Sequence, residues 1–298
     1  MRSEQEMIEL ILNFARRNDD IRAVIMNGSR VNPNAPKDPF QDYDVVCLVR
    51  SVEPFRRNPD IGHYFGEIMI LETPEDMLDP PPENDGGYGY LMQFMDGNRI
   101  DLGFYPIEDA RRCVSDTLTV VLLDKDHLIG ELPPPTDLGY VPQRPTPKAF
   151  ADCCNEFWWL NPNVAKGLWR NELTYARHML DTLMREQLMK MLTWYFGVQT
   201  GFGRAPGKLG KYLKGQIDDR LWALLERTYA DARPDHTWDA LFAMGELFRE
   251  VAHPVACSFG FTYPEQDDAN VSAYIRRIQK LPRDAKTINM DKQDTRDS

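Results

Sequence analysis

A cluster of prolines near the middle of the chain separates two stretches with different sequence patterns. Six of the fifteen residues from 133 to 147 are proline. Proline fixes φ and has no N–H to donate, so such a stretch forms no regular helix or central strand and typically links domains. We therefore expect domains over 1–135 and 148–283, joined by a proline-rich linker over 136–147. The polar, aperiodic stretch 284–298 is predicted to be a disordered tail.

The first domain begins with a helix and continues with short strands. Ser3 and Glu6 form a capping box, and apolar residues then recur at helical spacing up to about residue 18. Runs with strand-like composition cover 21–26, 44–49, 65–71, 90–95, 99–105 and 118–123. The Asp-Gly-Asn sequence at 96–98 is typical of a hairpin turn, so the two flanking strands are predicted to be antiparallel neighbours. Together the runs predict one mixed sheet.

Beyond the prolines the apolar residues recur at helical spacing. This spacing predicts helices over 148–160, 163–197 with a break, 208–231, 236–252 and about 265–280. The fold class is therefore predicted to be α+β, with a mixed-sheet domain followed by an all-helical C-terminal domain.

Charge and cysteine content exclude several classes of protein. The chain has 35 Lys and Arg against 46 Asp and Glu, a net charge of −11, and a pI near 5.0. Such a protein repels polyanions, so we expect a neutral or cationic partner and no nucleic acid. The five cysteines show no CxxC spacing, which favours the reducing cytoplasm. No run approaches the ~18 apolar residues of a membrane helix, and the N-terminus is polar, so we expect a cytoplasmic protein. No heptad seam predicts an oligomer, so we expect a monomer.

A glycine–serine turn and three aspartates are the candidates for chemistry. Gly28 and Ser29 follow the first strand, Asp42 and Asp44 precede and open the second, and Asp101 lies in the fifth. Two aspartates one residue apart on a strand point to the same face, and a third on a neighbouring strand completes an acidic cluster. Three carboxylates held together without basic partners would repel each other. The cluster therefore indicates a hard divalent cation such as Mg²⁺, and with it phosphate chemistry.

Gly28, Ser29 and Arg30 fit the same chemistry. A glycine lets the backbone approach a phosphate closely, N–H groups at a turn attract anions, and Arg30 offers a charge-assisted contact. A Gly-Ser turn or an Asp-x-Asp pair alone is more often a turn or a solvated loop. Their combination with Asp101 in an apolar strand favours function, because an unpaired buried carboxylate is costly.

The arrangement resembles the signature of the polymerase-beta-like nucleotidyltransferases, in which a hydrophobic-Gly-Ser turn precedes an Asp-x-Asp pair and a third acid. The chain is more closely similar to the aminoglycoside 6-adenylyltransferases that inactivate streptomycin. The similar segments are 26–32, 40–46, 99–102, 157–159, 163–173 and 207–213. The resemblance extends over about residues 1–282.

This resemblance implies a nucleotidyltransferase domain followed by a helical substrate-binding domain. It implies an Mg²⁺-dependent transfer of AMP from ATP to the 6-hydroxyl of streptomycin, which confers antibiotic resistance. Asp42 and Asp44 would hold the metal, with Gly28 and Ser29 near the phosphates. Asp101 would be either a ligand of a second metal ion or the base that takes the proton from the acceptor hydroxyl.

The helical domain offers candidates for contacts to both substrates. Streptomycin carries two guanidinium groups, for which carboxylates and aromatic faces are suitable partners. The candidates for this contact are Glu156, Trp158, Trp159 and Glu172. Tryptophans in such a position more often belong to the core, so one of the two can be packed there while the other contacts the substrate. Lys208 and Lys211 are candidates for contact with the triphosphate, or belong to a solvated helix face.

Two other functions fit the same residues. A related nucleotidyltransferase with a different acceptor, such as another aminoglycoside, a lincosamide or a protein hydroxyl, would share the metal site. A non-catalytic nucleotide-binding regulatory module would keep the fold without turnover. The intact set of Asp42, Asp44 and Asp101 argues against the regulatory module, which has no need for three mutually repelling acids.

Overall fold

The computed structural model of the chain describes residues 1–288 and divides into two compact units. The first unit is Met1–Gly139, and the second begins at Tyr140. Of the predicted disordered tail, residues 284–288 contain no helix or strand, and 289–298 lie outside the described residues.

The first unit is built on one six-stranded mixed sheet. Its strands are β1 (Ile21–Asn27), β2 (Tyr43–Val49), β3 (Ile68–Glu72), β4 (Tyr88–Phe94), β5 (Arg99–Pro106) and β6 (Thr119–Asp124). They lie in the order β3-β4-β5-β2-β1-β6, in which β2 and β5 are parallel and every other neighbouring pair is antiparallel. The predicted mixed sheet and the β4–β5 hairpin are thereby confirmed.

The two faces of this sheet have different roles because side chains alternate along each strand. One face packs against α1 (Glu4–Arg17), which starts at the predicted capping box, and against α2 (Pro59–Phe65). A smaller apolar cluster under α3 (Ala110–Cys113) covers part of the other face. On β2, Tyr43, Val45 and Cys47 face the main core, so Asp44 faces the opposite side.

The second unit is helical, as predicted. Its helices are α4 (Pro147–Trp169), α5 (Leu173–His178), α6 (Arg185–Gln199), α7 (Asp219–Arg227), α8 (Pro234–Phe259) and α9 (Glu265–Lys280), with a π-helical turn, Met179–Met184, between α5 and α6. A separate apolar core joins them, in which the Phe157 ring on α4 stacks on the Phe248 ring of α8 at 3.8 Å. No helix within 1–288 has the length and apolar character needed to cross a bilayer.

Several helix boundaries differ from the sequence prediction, and two of the differences have a clear physical cause. The predicted gap between 160 and 163 is wrong, because α4 runs on through Pro162 and ends at Trp169. Burial of its flanking residues overrides the local preference of proline. The predicted helix over 208–231 is wrong in its first half, where Leu209 and Gly210 have φ of +56° and +77°. Left-handed backbone ends a right-handed helix, so α7 starts only at Asp219.

Candidate active site

Three aspartates meet on the sheet face that points away from α1. Asp44 on β2 lies directly beside Asp101 on β5 in the parallel register, and Asp42 immediately precedes β2. One carboxylate oxygen from each lies within 4.8 Å of the other two, and all three side chains are partly exposed. Carboxylate oxygens are the ligands that Mg²⁺ prefers, so this set can hold a divalent cation. The sheet order accounts for the meeting, because it places the late strand β5 next to β2.

Gly28 leaves the space that Asp44 occupies. It opens a 3₁₀ turn after β1 with φ of +78°, and a Cβ built on it would lie 2.0 Å from Asp44 Oδ2. The Gly28 N–H donates to the Leu118 carbonyl at 3.2 Å. Within the described residues, the neighbouring Ser29 hydroxyl makes no hydrogen bond. Ser29 therefore remains available to a ligand, whereas Gly28 acts through the room it leaves.

Arg30 holds the loop that carries Asp42. Its Nε donates to the Asp42 carbonyl at 3.1 Å, and its Nη2 donates to the Gln41 carbonyl at 2.6 Å. The guanidinium also pairs with Glu4 at 3.3 Å and stacks 3.7 Å from the Tyr43 ring centroid, leaving the side chain 8% exposed. These contacts differ from the expected phosphate contact. They give Arg30 a positioning task in which it fixes the loop before β2.

Arg99 gives the acidic cluster a basic partner that the sequence prediction lacked. Its Nε and Nη2 each donate to one oxygen of Asp101 at 2.7 Å. The hydrogen bonds with Asp101, reinforced by the charges of Asp42 and Asp44, raise the pKa of the Arg99 guanidinium. A permanent cation beside three carboxylates reduces their mutual repulsion. The cluster was therefore wrongly predicted to lack basic partners.

The aspartates open into a cavity of about 460 Å³, which other side chains also line. One of them is Asn27, the last residue of β1, which lies between Asp44 on β2 and Thr119 on β6. Its Oδ1 is buried and has no hydrogen-bond partner among the described residues. A buried carbonyl oxygen without a partner is costly. Its position directly before the Gly-Ser turn is the sequence signal that marks it.

The opposite wall of the cavity contains residues that sequence reasoning missed. Glu75 and Tyr105 line it, over a floor that includes Gly89 and Gly103. Glu75 belongs to no motif, so nothing in the sequence singles it out. Gly103 does carry a signal, because a glycine inside a strand often marks a close approach by another group.

The second unit separates the two candidate tryptophans. Trp158 is 2% exposed, and its Nε1 donates to the Tyr263 hydroxyl at 3.1 Å. Its ring packs against Phe157 and Phe248. The prediction that Trp158 binds substrate is therefore wrong, because the indole is part of the core. Trp159, one residue later on the helix, points outward and is 71% exposed.

The other candidates of the second unit do not form one patch. Glu156 is exposed three residues before Trp159, on the same side of α4. Glu172 is exposed beyond the end of α4, and that end lies about 15 Å along the helix from Trp159 at ~1.5 Å per residue. Lys208 and Lys211 are exposed in the loop before α7 and lie on no α-helix face.

Comparison with known proteins identifies the family. The family model for streptomycin adenylyltransferase matches residues 1–278. Three similar proteins are named aminoglycoside 6-adenylyltransferase. That of Campylobacter jejuni is 40% identical over 282 residues, covering 94% of this chain and 97% of the relative. That of Bacillus subtilis is 39% identical over 270 residues, covering 90% and 95%. That of Staphylococcus aureus is 34% identical over 278 residues, covering 93% and 98%.

The resemblance drawn from the sequence motifs is thus confirmed over nearly the whole chain. The segments that carried it include residues 26–32 and 40–46, which form the turn and the loop around the three aspartates. With a matching family model and three relatives above 30% identity, the chain belongs to the streptomycin adenylyltransferase family, and it is an adenylyltransferase of the aminoglycoside 6-adenylyltransferase class.

Proposed function

We propose that the protein transfers AMP from ATP to the 6-hydroxyl of streptomycin and so confers resistance to it, with Mg²⁺ held by Asp42, Asp44 and Asp101. The observation that carries the proposal is the approach of these three carboxylates to within 4.8 Å of one another. The description of the matching family supports streptomycin as the acceptor. The names of the three relatives support transfer to the 6-position of an aminoglycoside.

The residues around the aspartates prepare the site for this reaction. A bound Mg²⁺ would neutralise charge on the triphosphate and align it for in-line displacement. Gly28 makes room for Asp44, Arg30 fixes the loop that carries Asp42, and Arg99 orients Asp101. In the reaction the acceptor hydroxyl gives its proton to a base and its oxygen bonds to the α-phosphorus. The bond from the α-phosphorus to the oxygen that bridges to the β-phosphate breaks, and pyrophosphate leaves. The proximity of Asp101 to the other two acids favours its assignment as a metal ligand over that of base.

The acceptor carries positive charge, and the second unit offers an exposed surface that suits it. Glu156 and Trp159 present a carboxylate and an indole face on one side of α4, which are suitable partners for a guanidinium. Our proposal keeps Glu172 as a second acidic contact and Lys208 and Lys211 as contacts to the triphosphate. A net charge of −11 favours this cationic acceptor over a nucleic acid.

We place the reaction in the cytoplasm and in a single chain. All five cysteines lie within the described residues and are free, as the reducing cytoplasm favours. ATP is also available there. The three aspartates come from one unit of one chain, so the metal site requires no partner subunit.

The proposal is tested by offering the purified protein ATP and Mg²⁺ with streptomycin, spectinomycin, kanamycin or lincomycin, and measuring pyrophosphate release and product mass. We expect a product heavier by one AMP with streptomycin, and none after Mg²⁺ is removed by a chelator. A product with another acceptor alone would instead identify a related nucleotidyltransferase. ATP binding without any product would favour the regulatory module.

Asp44→Asn should abolish adenylylation while leaving the fold intact. The substitution keeps the shape of the side chain and removes one of three clustered negative charges, so we expect no loss of thermal stability. Activity and melting temperature are measured together on the same preparation, and Mg²⁺ binding by calorimetry. Retained activity would overturn the assignment of the metal site.

A further inference from the structure

Glu75 lies where two cavities adjoin. It lines the cavity of about 460 Å³ that contains Asp44 and Asp101, and it also lines a neighbouring cavity of about 310 Å³. Tyr105 is likewise shared by both. A ligand group that reaches from the neighbouring cavity toward the aspartates therefore passes these two side chains.

Two glycines give the Glu75 carboxylate its place beside the metal site. Gly89 on β4 lies opposite Gly103 on β5, and the next pair on the same face is Leu91 and Asp101. Pairs on one face are about 7 Å apart along a strand. A Cβ built on Gly89 would lie 3.6 Å from Glu75 Oε2. The carboxylate therefore lies against Gly89, whose pair with Gly103 is about one such spacing along the strands from the pair that contains Asp101.

The Glu75 carboxylate is held in this position before any ligand arrives. Its Oε2 accepts a hydrogen bond from the Gly89 N–H at 2.8 Å. The 3₁₀ turn Pro74–Asp76 that carries it is fastened at Asp76, which accepts from the Tyr88 hydroxyl at 2.7 Å and pairs with Arg57 at 2.9 Å. A group fixed in this way loses little freedom on binding a ligand.

Among the residues that the structure describes, Glu75 differs from its acidic neighbours in having no basic partner. Asp101 pairs with Arg99, and Asp85 pairs with Arg112. Within residues 1–288, Glu75 forms no ion pair, and no lysine or arginine lines either cavity.

An aromatic ring completes the surroundings of Glu75. The Tyr105 ring crosses the sheet so closely that a Cβ on Gly87 or Gly103 would lie 2.3 Å or 2.9 Å from it. The Arg112 guanidinium already lies 5.0 Å from the centroid of this ring. The ring therefore bounds the space beside Glu75, and the carboxylate itself provides the two oxygens that match a guanidinium.

The geometry points to Glu75 as the residue that binds a guanidinium or ammonium group of the acceptor, holding the hydroxyl toward the aspartates. This inference rests on the proposed function, because it names the contact that a cationic acceptor makes in the first unit. It adds an acceptor contact at the Gly89–Gly103 pair, about 7 Å along the strands from the pair that contains Asp101. This contact does not depend on any contact that the second unit makes with the acceptor.

The test compares Glu75→Gln with Glu67→Gln. The first variant keeps the size of the side chain and its hydrogen bond with Gly89. The second removes the same charge from an exposed residue before β3. The smaller cavity adjoins the other end of that strand, at Glu72. Steady-state constants for streptomycin and ATP are measured with each variant, and streptomycin binding is measured by calorimetry without nucleotide.

We expect Glu75→Gln to raise the KM and the dissociation constant for streptomycin about tenfold or more, as for loss of a charged hydrogen-bonded contact. The KM for ATP and kcat should change less than about threefold, and Glu67→Gln should match the unmodified protein. Should Glu75→Gln melt at a lower temperature, Glu75→Asp, which keeps the charge on a shorter side chain, should still raise the KM for streptomycin alone.

An unchanged KM for streptomycin in Glu75→Gln, or a fall in kcat without a change in KM, would overturn the assignment. The unmodified protein and Glu67→Gln test the proposed function separately. If neither adenylylates streptomycin, the proposed function fails, and the inference fails with it. If both do so and Glu75→Gln binds streptomycin as tightly as they do, the inference alone fails.

Discussion

A single missing side-chain carbon shapes the acidic site. Gly28 has a left-handed φ of +78°, and a Cβ there would overlap Asp44 Oδ2 at 2.0 Å. The Gly-Ser turn therefore contributes to the cluster even where its backbone N–H is already bonded to Leu118. A glycine in this motif acts through excluded volume as well as through backbone freedom.

Gly28→Ala should reduce adenylylation at least about 100-fold, since displacement of a catalytic group by about 1 Å has effects of that size. The new methyl group must displace the Asp44 carboxylate, because Gly28 directly follows Asn27, which is paired with Asp44 across β1 and β2 and fixes the distance between them. The measurements are kcat/KM and the Mg²⁺ concentration that gives half-maximal rate, and we expect the latter to rise.

Gly130→Ala is the matched control for this variant. Gly130 has a similar φ of +74°, but a Cβ there meets nothing within 4 Å. It therefore carries the same backbone strain, of about 1 kcal/mol, without the clash. If Gly130→Ala lost as much activity as Gly28→Ala, strain would account for the effect and the steric argument would be refuted.

At the scale of elements, the N-terminus is tied to the β4–β5 hairpin by one ion pair. The Arg2 backbone N–H and Nε both donate to Asp96 Oδ2, at 3.2 Å and 2.7 Å, and the Asn98 side chain donates to the Arg2 carbonyl at 3.3 Å. The hydrogen bond from the Arg2 side chain is the main reason why the pKa of Asp96 lies well below its ordinary value. The turn that the sequence predicts thus also anchors the start of α1.

Asp96→Asn should lower the free energy of unfolding at pH 7 by about 1.5–3 kcal/mol, the range for a hydrogen bond to a charged group. A depressed pKa contributes stability above the unfolded value, about 4 for aspartate, and loses it as pH falls through the folded value. The difference in free energy of unfolding between the unmodified protein and Asp96→Asn should therefore become smaller below about pH 4. Urea unfolding at pH 7, 5, 4 and 3 measures it.

Asp20→Asn provides the comparison, because Asp20 lies 4.0 Å from Arg50 and both side chains are about half exposed. Such surface pairs contribute about 0–1 kcal/mol, so this variant should unfold like the parent at every pH. A stability gap for Asp96→Asn that stays constant down to pH 3 would contradict the role of its charge.

The strands were predictable from the sequence because each is a short apolar run bounded by turn residues, as at Gly97. The helix ends were less predictable. Pro162 reads locally as a break, yet burial along α4 carries the helix past it. The sequence pattern predicts a helix over 208–218, yet Leu209 adopts a left-handed φ that no local sequence pattern predicts.

Some residues of the site are likewise predictable from local sequence spacing, whereas others depend on contacts between distant parts of the chain. Asp42, Asp44 and Gly28 are close in sequence, and their spacing predicts the cluster that the structure shows. Glu75 reaches the cavity only because a turn before β4 folds over Gly89. Contacts of this kind depend on strand order, which the sequence pattern alone does not determine.

At the scale of the whole molecule, each unit contains its own apolar core. The buried clusters of the first unit draw on residues up to Phe104 and those of the second on residues from Phe150 onward. Trp158 belongs to the second core, between Phe157, Phe248 and the hydroxyl of Tyr263.

Trp158→Ala should lower the free energy of unfolding of the second unit by about 3–5 kcal/mol, the usual cost of removing a large buried aromatic side chain. The substitution also removes the indole N–H that donates a hydrogen bond to the Tyr263 hydroxyl. Thermal unfolding followed by calorimetry measures the loss. A melting temperature within a degree of the unmodified protein would show that this indole is not part of the core.

Trp159→Ala, one residue further along α4, should instead change substrate binding. With 71% of the residue exposed, its removal should alter stability by less than about 0.5 kcal/mol. If the indole receives a guanidinium of streptomycin, the KM for streptomycin should rise several-fold while the KM for ATP stays the same, since a cation–π contact is worth about 1 kcal/mol. Equal changes in both KM values, or none, would remove Trp159 from the acceptor site and leave the acidic side chains to recognise the antibiotic.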